Sequence, residues 1–239
     1  MQYHLDGTVL GSDGKRRMHR IEITVTGVTK VIDGVAALLI FERDFSDGRM
    51  AESELFFVAQ DSRGNIWNMG EYPEIYDTGG QLLGAPATWL SGTAGAKAGV
   101  EMPGTPGLGD PPFTEGVAPE VNFLDCGQVY QVGQRVCVHG GCHDGVLVID
   151  EYAPLNKKEG HQRKFYAPNL GQIKVAAVGG ADPEELELTM ARRLCAADFA
   201  PLQDMALAED ARALKASKDV FGSYPPAKPT LTPQLCVSL

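Results

Sequence analysis

The residues whose types and spacing come nearest to doing chemistry are Cys137-Val138-His139-Gly140-Gly141-Cys142-His143. Gly140-Gly141 lets the backbone turn sharply, which brings both sulfurs to one side of a hairpin. Three chemistries fit. The first is a Cys137–Cys142 disulfide across the turn. The second is covalent haem: c-type attachment uses two cysteine thioethers and a histidine next to the second cysteine, and His143 follows Cys142 directly. Four residues lie between these cysteines, against two in the usual motif. The second axial ligand would then be His4, His19, His139, His161 or a methionine. The third is a small metal site of cysteine sulfur and histidine nitrogen. The disulfide is the leading expectation, with haem c as the alternative cofactor. Of the other cysteines, Cys126, Cys195 and Cys236, a Cys195–Cys236 bridge would staple the C-terminal tail to the domain before it; the alternative is buried thiols.

Other chemistry finds little support. Asp150-Glu151 and Glu184-Glu185 are adjacent carboxylates, but neighbours on a strand point to opposite faces, so they read as solvated surface. No nucleophile elbow, Walker loop or dinucleotide fingerprint is present. Asp61-Ser62-Arg63-Gly64-Asn65 has an arginine where a calcium loop needs an oxygen ligand, and lacks the closing glutamate. Trp67 and Trp89 could line a ligand pocket, with core packing the leading expectation.

The elements that would position these residues are mostly strands. In Lys30–Glu71, apolar runs are cut by Asp33-Gly34, Asp47-Gly48 and Arg63-Gly64, the pattern of an antiparallel meander. Ile21, Ile23 and Val25 alternate with Glu22, Thr24 and Thr26. The continuous runs Leu38–Phe41 and Leu55–Val58 call for cover on both faces. From Tyr72 to Pro119, proline and glycine are dense enough to predict a long irregular flap, with short strands around Gln81–Leu83 and Thr88–Leu90. Hairpins follow, with one turn expected at Val132-Gly133. Glu185–Met190 alternates strictly and reads as a strand. Leu202–Phe221 reads as one amphipathic helix with Leu207, Ala211, Leu214 and Phe221 on its apolar stripe and Glu209 on the wet side. A Pro-rich tail ends the chain.

The totals bound the function. The chain has 239 residues, 44% of them hydrophobic, and a net charge of −10 from 21 basic and 31 acidic residues. That charge argues against nucleic acid as a partner. No run approaches the ~20 apolar residues of a membrane span. No signal peptide is visible at Met1–His4, which suits a cytosolic protein or a mature form without its export segment.

Ala59–Glu71 (AQDSRGNIWNMGE), Trp89–Pro103 (WLSGTAGAKAGVEMP) and Glu151–Lys174 (EYAPLNKKEGHQRKFYAPNLGQIK) carry a resemblance. They are similar to motifs of the form YAQD-x-x-GN-x-W-x-x-GE, GAKPGI-x-MP and EW-x-PLEPG…KYYAPGVG, found in a widespread family of uncharacterised bacterial envelope proteins. The resemblance covers Tyr3 to Met190. It implies an exported all-β domain, periplasmic or extracellular, and brings no activity or catalytic residues. The cysteine hairpin and everything after Cys195 depart from that pattern.

The expected fold is a mainly β antiparallel barrel or strongly curled sheet over residues 1–194, with a flap at about 72–120, and a separable helix and Pro-rich tail over 195–239. The expected function is a non-catalytic exported binding or assembly component, meeting another envelope protein or itself through the C-terminal helix and tail. The alternatives are a monohaem electron carrier using Cys137, Cys142 and His143, and an enzyme with a pocket under the flap.

Overall fold

A computed structural model describes residues 1–11, 13–181 and 183–230. Strands β1 (Gln2–Leu10), β2 (Arg16–Ile32), β3 (Val35–Ser46), β4 (Arg49–Gln60) and β5 (Ile66–Tyr76) form the meander. Its first two long hairpins turn on Asp33-Gly34, with φ of 49° and 77°, and on Asp47-Gly48, with φ of 50° and 74°. Two successive left-handed residues make the turn whose twist matches that of the flanking strands. The register then sorts the faces: Phe41 stands opposite Leu55 on one face, and Glu42 opposite Glu54 on the other.

Short strands β6 (Leu82–Gly84) and β7 (Trp89–Leu90) pair back onto β5. Strands β8 (Lys97–Met102), β9 (Phe113–Ala118), β10 (Phe123–Val138), β11 (Gly141–Tyr152), β12 (His161–Ala167), β13 (Gly171–Val178) and β14 (Glu184–Arg192) continue the wall. β1 pairs with β2 on one side and β14 on the other, which closes a 12-stranded antiparallel barrel. Closure leaves no unpaired edge.

Two sequence-based expectations are corrected here. The 72–120 segment is not one irregular flap, because β8 and β9 are barrel staves within it. Gly99 there serves close strand approach: a Cβ on it would lie 2.3 Å from the Thr114 carbonyl oxygen. Nor does a hairpin turn at Val132-Gly133. Gly133, with φ of 68°, sits where the register slips inside the unbroken β10, and the turn comes at His139-Gly140. Glu185–Met190 is a strand, as its alternation requires.

After Cys195 come α1 (Ala196–Ala216), α2 (Lys218–Phe221) and β15 (Lys228–Pro229), which pairs with β2. The helices lie on the outer wall of the meander. Leu39, Phe41, Leu55, Phe57 and Tyr72 share one core with Ala206, Ala213 and Phe221. The buried helical face is therefore Leu202, Gln203, Ala206, Glu209, Asp210 and Ala213, while Leu207 and Leu214 are only partly buried. Glu209, expected in solvent, is 1% exposed. It accepts a hydrogen bond from Ser53 at 2.6 Å and lies 3.3 Å from Arg212. Arg212 forks onto the buried Glu74 at 2.7 and 2.8 Å. Lys30 reaches from the barrel to Asp210 at 2.9 Å and to the Pro225 carbonyl. The change in composition at residue 195 thus marks no gap in packing.

Candidate functional site

Because the apolar outer face of the meander is covered by helix, its other face, which carries the acids, is turned inward. Glu42 on β3, Glu54 on β4 and Glu71 on β5 project into the barrel. The next staves continue the arc with Glu101 on β8, Glu115 on β9, Asp125 on β10 and Glu151 on β11. Lys164 on β12 ends it. The rest of the circle is mainly apolar, with Val175, Leu5, Ile21 and Ile23, interrupted by Gln172 and Glu184. Together they enclose a cavity of about 670 Å³, within the usual range for ligand pockets. It reaches the barrel end formed by the 153–160 loop, where Lys158 and Glu159 also line it.

Burial is the main force on the acids, since low-dielectric surroundings disfavour a charged carboxylate. It pushes Glu42 and Glu71 up to about 7, Glu101 to about 8, Glu115 to about 10 and Asp125 to about 6. Glu54 is raised well above the usual range by burial and by Glu71, Glu42 and Glu52. Burial opposes the charge on Lys164, yet Glu151, Glu101 and Glu115 hold its pKa well above that of a free lysine. Lys164 pairs with Glu151 at 2.5 Å, and the Tyr166 hydroxyl lies 3.5 Å from the same carboxylate. Glu115 is 5% exposed, and its Oε1 has no partner.

Near the same end, His19 is buried between Glu184, at 2.6 Å, and Asp44, at 3.2 Å. Burial opposes its charge, but the Glu184 hydrogen bond and Asp44 raise its pKa above the ordinary value.

The disulfide expected at Cys137–Cys142 is formed, across the tip of the β10–β11 hairpin, with Cα atoms 3.9 Å apart. The sulfurs that thioether links to haem would need are bonded to each other. His143 follows on β11, opposite Val136, and His139 lies in the turn. The other axial candidates sit on separate strands with carboxylate neighbours: His4 lies 3.8 Å from Glu22, His19 is held as above, and His161 pairs with Asp150 at 2.7 Å. Among the described residues, no group of three or more His, Cys, Asp or Glu is arranged to hold a metal ion. Cys126 is a half-buried free thiol. Cys195 precedes α1, and Cys236, proposed as its partner, lies outside the described residues.

Of the four carboxylates read as solvated, Glu151 and Glu184 line the cavity, whereas Glu185 is exposed. Trp89 packs on Phe123 at 5.1 Å and Trp67 against the main core. Trp67 also donates to Asp61 at 3.0 Å, so the 61–65 loop is tied by its own side chains. The acidic arc is absent from the sequence-based expectations. Its signal is Glu42/Asp44 and Glu52/Glu54 at a spacing of two, beside Phe41, Leu55 and Phe57 of the opposite parity. Glu71, Glu101, Glu151 and Lys164 also stand within the segments that carry the family resemblance.

No protein family, curated protein or solved structure matches the chain. No described helix is long and apolar enough to cross a membrane.

Proposed function

We propose that this is a non-catalytic exported protein that binds a small molecule inside its barrel. The observation that carries this is the cavity of about 670 Å³, lined by a polar arc and an apolar arc. Such a two-sided lining suits orientation of a ligand. Lys164 keeps its proton, so it offers no free amine for covalent catalysis. Export, to the periplasm or beyond, is supported by a disulfide on an exposed hairpin tip and by the motif resemblance. The inward face of the C-terminal helix is engaged with its own barrel, so contact with an envelope partner or a second copy falls to the outward face around Met205, which is 39% exposed.

Thermal unfolding of the full chain against a panel of neutral, anionic and cationic small molecules tests the reading. At least one class should raise Tm, and Ile23→Trp, which fills the cavity, should abolish the rise. A bound ligand should be recovered chemically unchanged. No shift from any class, or a shift that survives Ile23→Trp, overturns the reading.

A further inference from the structure

Resting on that reading, we infer that the ligand is an aliphatic di- or polyamine, with ammonium groups on the acidic arc and its methylene chain on the apolar arc. Three features of the lining support this. First, the charge is one-sided. Glutamates from the neighbouring staves β3, β4, β5, β8 and β9 face inward; of the two lysines in the lining, Lys164 is already engaged by Glu151 and Lys158 stands at the loop end beside Glu159. An anionic ligand would oppose the ionisation of these carboxyls and be repelled by each one that is charged, whereas a cation favours their ionised form. Second, the acids are distributed and do not converge. Each comes from its own stave, and among the described residues none of them join in a metal-type cluster. A single compact cation would meet only part of the arc, whereas several charges on one chain meet it all. Third, Glu115 is buried and aimed at the cavity with Oε1 unpartnered, a cost that a bound donor would remove.

The apolar arc supplies the other half. Leu5, Ile21, Ile23 and Val175 face the acids across the lumen, where methylenes would leave water. The raised carboxyl pKa values add a consequence. Acids that hold protons in the empty barrel release them to solvent as an ammonium group enters, so binding releases protons and strengthens as pH rises.

Isothermal titration of the full chain at pH 7.5 tests this. The probes are diaminoalkanes of three to eight methylenes and the triamine spermidine. 1-Aminopentane, pentane-1,5-diol and glutarate serve as singly charged, neutral and anionic controls. Titration in phosphate and in Tris, whose ionisation enthalpies differ, counts the protons released. At least one di- or triamine should bind tenfold or more tightly than 1-aminopentane, with net proton release. Glu101→Gln and Glu115→Gln should each weaken it about tenfold while far-UV circular dichroism stays unchanged. Binding of the diol or glutarate without the amines overturns the inference and leaves a small-molecule binder standing. Amine binding that is indifferent to both substitutions also overturns it. If no probe binds while the panel above yields a ligand of another class, the inference fails alone; if the panel is empty too, both fail.

Discussion

Replacing Glu115 by glutamine reads directly how much the acidic interior destabilises the empty barrel. Burial first, then Glu151 and Glu101, push the Glu115 carboxyl up to about 10. In the unfolded chain it ionises near about 4.3. Between those values the native state holds a proton that the unfolded state has lost. With the folded pKa raised, the stability is fully present below the unfolded pKa and is lost as pH rises toward the folded one. One such proton gives a slope of about 1.4 kcal/mol per pH unit. From pH 5 to pH 7, wild type should therefore lose about 2.7 kcal/mol through this residue alone. Glutamine keeps the shape and cannot ionise. The stability difference, variant minus wild type, should grow by that amount over the interval, in favour of the variant. Urea unfolding at pH 5, 6 and 7 in constant salt measures it, with the m-value checked for constancy. Parallel pH dependences, or a wild type that gains on the variant as pH rises, would refute the reasoning.

Other outcomes follow from the outer wall and the hairpin. Lys30→Met leaves Asp210 buried without its cation and should cost about 3–5 kcal/mol in urea unfolding, with Lys30→Met/Asp210→Leu recovering much of it. A chain ended at residue 194 should lose its cooperative unfolding transition, because Leu39, Phe41, Leu55 and Phe57 lose their cover. Native protein should weigh two hydrogens less than its fully reduced form for the Cys137–Cys142 bridge, and an added porphyrin mass would overturn that assignment. His143→Ala at the same tip should change stability by less than about 0.5 kcal/mol.

Much of the architecture is legible in the sequence because it rests on short-range chemistry. Asp33-Gly34 and Asp47-Gly48 specify left-handed turns, and Glu185–Met190 declares its strand by strict alternation. The interior is harder to read for a physical reason. A carboxylate on a half-apolar strand normally points to water, so parity alone places Glu42 and Glu54 outside. Only α1 and α2 reverse that assignment, by burying Phe41 and Leu55 on the outer face, and they lie some 150 residues further on. The same logic puts Glu209 in solvent, whereas its partners Ser53 and Arg212 and its neighbour Glu74, from the wall and from the helix itself, hold it inside. Glycine density in the 72–120 segment signals chain breaking, whereas Gly99 is needed where two staves nearly touch.

The helical cover on the meander also sets an order of events. β2 to β5 can pair with one another as they are synthesised, since their hairpins are local. Their outer face is sealed only by residues 196–229, and the barrel closes only when β14 meets β1. A nascent chain that has reached residue 195 therefore displays a continuous apolar sheet face with its cover still missing. Such a surface is what holding chaperones bind and what aggregates when they are absent. Interruption of synthesis late in the chain should thus be more hazardous to the cell than interruption within the first hairpin, since almost the whole wall has then been made and none of it has been covered.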